Sequence, residues 1–260
     1  VMPTVATLQQ RMTDIGESLR RTGNAYALLG LGSAGRERER MDEHSDLDFF
    51  AVVKEGHKQA FIEDLSWLSN ISPAGYAFRN TVDGYKFLYE DGVFCEFAVF
   101  EPQELATIPF SEGQVIWAEE GFDTQMLKPT DTRGAYHRSD DVQWIIGEAL
   151  TNLYVGLCRF QRGEILSAMK FVQSFALDRI IDLLHIQQPN SAGLVDRYMP
   201  DRRVENRLTG SQELLAQFCP GYQKTPEAAL AQLRWLAQHY EINTTIAAEI
   251  RRRAIAATAD

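Results

Sequence analysis

Asp46-Leu47-Asp48 opens an apolar run that continues to Val53. In an extended strand, residues i and i+2 project to one side, so the two carboxylates point together and Leu47 points away. Two negative charges held that close repel, and a divalent cation relieves the repulsion. Mg²⁺ and Mn²⁺ prefer carboxylate and phosphate oxygens, so the pair suits a metal–NTP site. Taken alone, the D-x-D spacing equally describes two solvated aspartates at the start of a strand. Glu96 adds a second signal. It is the single charged residue in the apolar stretch 93–100, whose two faces both read as buried. A carboxylate in such a strand calls for a metal, a cation or a structural ion pair.

Upstream, Gly30-Leu31-Gly32-Ser33-Ala34-Gly35 follows a short apolar run, and Glu55 lies 20 residues after Gly35. That is the outline of a dinucleotide-binding glycine motif. The connection to the next strand excludes it. Residues 36–45 hold one apolar residue, Met41, and a helix without an apolar stripe cannot cover a sheet. The surviving reading is a tight turn at Gly32-Ser33, whose backbone N–H groups and Ser33 hydroxyl face a phosphate. Gly32 has no Cβ to keep the ligand away. Arg36 or Arg38 would add positive charge to the triphosphate. The alternating Arg and Glu of residues 36–40 also reads as solvated surface.

These residues need a framework. Positions 4–21 have helical apolar spacing (Val5, Leu8, Met12, Ile15, Leu19) and end before Gly23. Ala25–Leu31 and Leu47–Val53 read as strands, 60–68 as a helix. Tyr76–Arg79, Tyr85–Tyr89 and Val93–Phe100 read as strands joined at Asp83-Gly84 and Asp91-Gly92. Val115–Ala118 reads as one more. From about residue 140 the period is helical, with a stripe from Val142 to Phe160, then helices over 165–184, 212–218, 226–240 and 244–257. The expected fold class is α+β: a mixed-sheet domain over residues 1–135, then an all-α bundle over 136–260.

The chain has 260 residues with 26 basic and 36 acidic side chains, a net charge of -10. A nucleic-acid binder ordinarily shows a basic face, so the balance favours a small-molecule or protein acceptor and makes a nucleic-acid partner unexpected. No apolar run reaches membrane-spanning length, and no signal peptide is apparent. Cys95, Cys158 and Cys219 form no C-x-x-C pair. Their apolar neighbours predict buried free thiols in a reducing cytoplasm. The histidines lack H-E-x-x-H spacing, which argues against a zinc hydrolase.

Gly32-Ser33, Asp46-x-Asp48 and Glu96 on a later strand together resemble the DNA polymerase β-type nucleotidyltransferase superfamily. The stretch Leu31-Gly-Ser-Ala-Gly-Arg-Glu37 through His44-Ser-Asp-Leu-Asp48 carries most of that resemblance. A helical domain after the catalytic one is similar to the minor nucleotidyltransferases that modify aminoglycoside or lincosamide antibiotics. The Gly-Ser-x-Gly-Arg form also resembles uridylyltransferase domains that modify regulatory proteins. The resemblance spans residues 25–100 and implies roles for five of them. Gly32 and Ser33 would hold the triphosphate of an NTP co-substrate. Asp46 and Asp48 would bind Mg²⁺ or Mn²⁺, and Glu96 would bind metal or act as base. The implied reaction passes AMP from ATP to a hydroxyl and releases pyrophosphate. Glu96 or Glu112 would take the acceptor's proton, Lys170 would reach a phosphate, and Trp117, Trp144 and Tyr136 would line an acceptor pocket. Two rivals stand beside this: a protein-modifying enzyme with the same site, and a non-catalytic nucleotide-binding or antitoxin-like module.

Overall fold

The computed structural model describes residues 3–131, 133–191, 193 and 195–258. The chain divides into two compact units, Val1–Ala135 and Tyr136–Asp260.

In the first unit, α1 (Val5–Thr22) starts where the Thr4 hydroxyl accepts the Thr7 N–H and stops at Gly23, whose φ of 68° caps it. Its stripe of Leu8, Met12, Ile15 and Leu19 is buried. The strands β1 (Ala25–Leu31), β2 (Leu47–Val53), β3 (Ala74–Phe78), β4 (Gly84–Tyr89), β5 (Phe94–Phe100) and β6 (Gln114–Ala118) form one sheet. Its order is β3-β4-β5-β2-β1-β6. Among the described strands of this sheet the β2–β5 pair alone is parallel; β1 and β2 run antiparallel. That antiparallel pairing disposes of the dinucleotide-binding reading, which needs parallel strands joined by a packed helix. The segment expected as one helix over 60–68 is instead α2 (Lys58–Glu63) and α3 (Ser66–Ser69). Asp64 breaks the run by turning extended and using its carboxylate on the Ser66 N–H and hydroxyl.

Both faces of the sheet carry a core. Odd-numbered residues of β2 and β5, including Leu47, Phe49, Cys95 and Phe97, pack under α1 with Trp67. The opposite face buries Ala27, Leu29, Val52, Phe100, Leu105 and Phe110. This second core stops short of the starts of β2 and β5, where the even positions Asp48 and Glu96 are only half-buried.

The second unit is helical: α4 (Val142–Gln161), α5 (Ile165–Lys170), α6 (Leu177–Gln187), α7 (Val204–Arg207), α8 (Ser211–Phe218), α9 (Thr225–His239) and α10 (Thr244–Thr258). The helix expected over 165–184 is interrupted by a π-helical turn at Phe171–Ala176. Its Val172 carbonyl accepts from the buried Gln232 amide at 2.8 Å, a long-range bond that no local pattern predicts. Gly156 of α4 packs against the same turn, and a Cβ there would lie 2.6 Å from a Val172 methyl. No helix among the described residues is long and apolar enough to cross a membrane. The three cysteines are free, but only Cys95 is buried; Cys158 is half-buried and Cys219 exposed. The expectation of three buried thiols is corrected there.

Asp182 is buried among Tyr136, Arg179 and Arg138, which all contact its carboxylate. Burial pushes the neighbouring Asp178 carboxyl up to about 6, against a partial opposing pull from Arg179. The folded value exceeds the usual carboxylate value, so the folded chain keeps a proton that the unfolded chain gives up. Folding stability from this group therefore falls as pH rises from about 4 to 6 and stays lower above that window. Asp178→Asn should raise the melting temperature at pH 8 and leave it nearly unchanged at pH 4. Equal shifts at both pH values would contradict this.

Candidate functional site

The register across the sheet brings the sequence-predicted acids together. Asp48 of β2 lies opposite Glu96 of β5 in the parallel pair. Leu31, which runs into Gly32-Ser33, lies opposite Asp48 on the other side. Lys86 of β4 lies opposite Glu96, and Phe78 of β3 opposite Lys86. Directly paired residues share a face, so Leu31, Asp48, Glu96, Lys86 and Phe78 form one row across five strands. Asp46 lies just before the first residue of β2 and is half-buried. Neighbouring strands are about 4.8 Å apart, which keeps Asp48 and Glu96 within reach of a common ligand.

Glu96 differs from its sequence expectation in one respect. Its strand is apolar on both faces beyond Glu96, yet the carboxylate itself is neither deeply buried nor alone. Lys86 Nζ lies 3.6 Å from Glu96 Oε2, with both side chains 43% exposed. Asn80 Nδ2 donates to Glu96 Oε1 at 3.2 Å. The reason is the short reach of the second core, which ends at Phe50 and Ala98 and leaves the strand starts open. Lys86 and Asn80 are site-face residues that sequence reading overlooked. The signal for Lys86 was present: it is the one charge in Gly84–Tyr89, the same pattern that singled out Glu96.

The glycine loop is built by close approach. Gly32 (φ 51°) opens a short 3-10 turn over Gly32–Ala34, and its carbonyl accepts the N–H groups of Gly35 and Glu37. A Cβ on Gly35 would lie 2.2 Å from the Gly30 carbonyl oxygen, and one on Gly30 would lie 2.3 Å from the Ala34 oxygen. So the outer glycines of the motif let the loop fold back onto β1. At Gly32 the space is different: a Cβ would sit 3.8 Å from both Asp48 Oδ2 and Arg40 Nη2. The turn therefore borders the carboxylates. Ser33 is buried in it.

The predicted cations are placed as follows. Arg36 is ion-paired with Glu112, both largely exposed. That engages the two side chains the sequence offered as a phosphate ligand and a proton acceptor, and places Arg36 at the surface as the Arg/Glu alternation suggested. Arg40, which sequence reading passed over, is ion-paired with Glu37 and only 14% exposed; it is the arginine beside Gly32 and Asp48. Lys170 ends α5, in the second unit. Trp117 is half-buried on β6 in the first unit, and Trp144 and Tyr136 lie in the second.

Among the described residues, no three His, Cys, Asp or Glu side chains converge closely enough to cage a metal ion by themselves. The face that carries Asp48 and Glu96 lies beside the glycine turn. Its donor set is all oxygen, with two carboxylates two residues apart beside a glycine turn. That fits a Mg²⁺ that takes one or two carboxylates and fills its shell with phosphate and water oxygens.

No family model matches the chain, and no curated protein matches it either. Among solved structures it is similar to an aminoglycoside 6-adenyltransferase from Bacillus subtilis, at 14% identity over 97% of this chain and 99% of that one, with a TM-score of 0.39.

The loop geometry predicts unequal glycine substitutions. Gly35→Ala meets a backbone oxygen that cannot yield, and should cost about 2–4 kcal/mol in urea denaturation, as overpacking does at its upper range. Gly32→Ala meets no close atom and should cost only about 1–2 kcal/mol, from its left-handed backbone. The reverse order would mean that the loop does not pack on β1 as described.

Proposed function

We propose that the chain is a metal-dependent nucleotidyltransferase that moves AMP from ATP to a hydroxyl of a small molecule and releases pyrophosphate. The observation that carries the proposal is the pairing of Asp48 with Glu96 on one sheet face, with the Gly32-Ser33 turn bordering Asp48. Antibiotics of the aminoglycoside or lincosamide kind are the acceptors implied by the resemblance of residues 25–100 to the minor nucleotidyltransferases. Three free thiols accord with a reducing cytoplasm as the working compartment.

Asp46 and Asp48 would hold Mg²⁺ or Mn²⁺ against the phosphates of the NTP, where it supplies charge neutralisation at the reacting phosphorus. The turn at Gly32-Ser33 offers backbone N–H groups and little steric bulk to the terminal phosphates. Arg40, beside Gly32 and paired with Glu37, would add positive charge there. Asn80 and Lys86 fix the Glu96 carboxylate by one contact on each oxygen. Held so, Glu96 takes the proton from the attacking hydroxyl. The acceptor oxygen forms its bond to the α-phosphorus as the bond to the β-phosphate oxygen breaks, the two oxygens lying roughly in line. The main rival, transfer to a protein side chain, would use the same residues.

Calorimetry on the Asp46→Asn, Asp48→Asn double variant checks the reading. The variant should keep its melting temperature and lose affinity for Mg–ATP. Unchanged Mg–ATP affinity would remove the aspartates from the site. A further test concerns Glu96→Gln, which keeps the side-chain size. It should cut single-turnover transfer by about 10²–10⁴-fold, the range for a lost general base, with Mg–ATP affinity little changed. Near-normal transfer with a lowered melting temperature would make Glu96 a structural partner of Lys86.

A further inference from the structure

We infer that the acceptor is a hydroxyl compound with a flat apolar or aromatic face and an anionic substituent, held on the open face of β3, β4 and β5, and not a polycation. This rests on the nucleotidyl-transfer reading and narrows its acceptor, setting aside the aminoglycosides, which are polycations.

The side of approach follows from the row. Gly32-Ser33 stands at one end, after Leu31; Asp48 and Glu96 lie in the middle; Lys86 and Phe78 form the far end. Terminal phosphates at the glycine turn place the leaving pyrophosphate at that end. An in-line reaction then requires the attacking oxygen to arrive from the opposite side, over β5, β4 and β3.

What the acceptor would meet there is written in the same register. Tyr76 of β3 lies opposite Leu88 of β4, and Leu88 opposite Phe94 of β5. This second row runs beside the charged one and shares its face. Tyr76 is 57% and Phe78 50% exposed, while Leu88 and Phe94 are half-buried. Large apolar side chains grouped on one sheet face beside a charged site suit a ligand with an apolar face. The polar cluster in the neighbouring row is the one around Glu96. Asn80 donates to that carboxylate, and its Oδ1 is buried with no hydrogen-bond partner.

Charge fixes the rest. Lys86 reaches Glu96 with one edge of its ammonium at 3.6 Å and has further donors for an anionic or carbonyl group. A polycationic sugar would face that ammonium. The aromatic rings alone would favour a cation, but Phe78 stands directly beside Lys86 in the register, and like charges that close repel.

The experiment titrates the full chain, saturated with Mg²⁺ and the α,β-methylene analogue of ATP, which cannot transfer. The calorimetric probes are 4-nitrophenyl glucuronide, 4-nitrophenyl glucoside and kanamycin. The glucuronide should bind tightest and kanamycin weakest. Tyr76→Ser with Phe78→Ser should weaken both aryl probes by about tenfold or more, the value of a lost aromatic contact, without shifting the melting temperature or the affinity for the nucleotide analogue. Lys86→Gln should abolish the advantage of the glucuronide over the glucoside. Kanamycin binding tighter than the aryl probes, or aryl binding unchanged in the double variant, would overturn the acceptor assignment while leaving nucleotidyl transfer intact. A wild-type chain that binds no Mg–nucleotide overturns both.

Discussion

Everything proposed for this chain depends on the register of β2 against β5. Asp48 sits across from Glu96 only because Phe49 sits across from Phe97 on the other face. Those two rings stack at 5.2 Å, and Trp67 meets both edge-on, at 6.4 Å from Phe49 and 5.3 Å from Phe97. Aromatic contacts of this kind contribute about 0.5–1.5 kcal/mol each beyond the area they bury. A slip of one residue would turn every side chain of β2 to the wrong face. It would bury Asp48 under α1 and expose Phe49. The hydrophobic core beneath the sheet thus holds two like charges together above it. The site is preorganised by burial elsewhere, which is how a fold sets the geometry of groups that repel.

The glycine loop plays the complementary part. The Gly30 carbonyl is approached so closely that a Cβ on Gly35 or Gly113 would lie 2.2 or 2.5 Å from its oxygen. The chain leaving β1 is therefore bent back onto β1 at once. This places Gly32 at the edge of the carboxylate row, where a Cβ would lie 3.8 Å from Asp48 Oδ2. One short motif has two parts: the outer glycines let the loop fold back onto β1, and the middle one borders Asp48.

Much of this was legible in the sequence, and the reasons are physical. The alternation of Leu47-Asp48-Phe49 states which face each side chain takes, because the strand period is two. The failure of residues 36–45 as an amphipathic helix excluded a parallel crossover, and β1 and β2 are indeed antiparallel. Long-range pairing was not legible. Nothing local says that β5 inserts between β4 and β2, so the alignment of Lys86 with Glu96 came only with the register. The burial of Glu96 was overstated for the same reason. A strand can be apolar on both faces and still run out from under its core at one end. The π turn at Phe171–Ala176 was hidden because its freed carbonyl is satisfied by Gln232, far along the chain. The surface position of Cys219 shows the limit of reading burial from apolar neighbours alone.

On the proposed function, Asp46, Asp48 and Glu96 bind a divalent cation together with a nucleoside triphosphate. Water-proton relaxation with Mn²⁺ measures this directly, since a protein-bound Mn²⁺ relaxes water far more strongly than a free one. Because the carboxylates alone form no closed cage, Mn²⁺ by itself should bind weakly, and adding ATP should strengthen its binding and enhance relaxation. Mn²⁺ binding that is equally tight with and without ATP, or absent in both, would contradict the account.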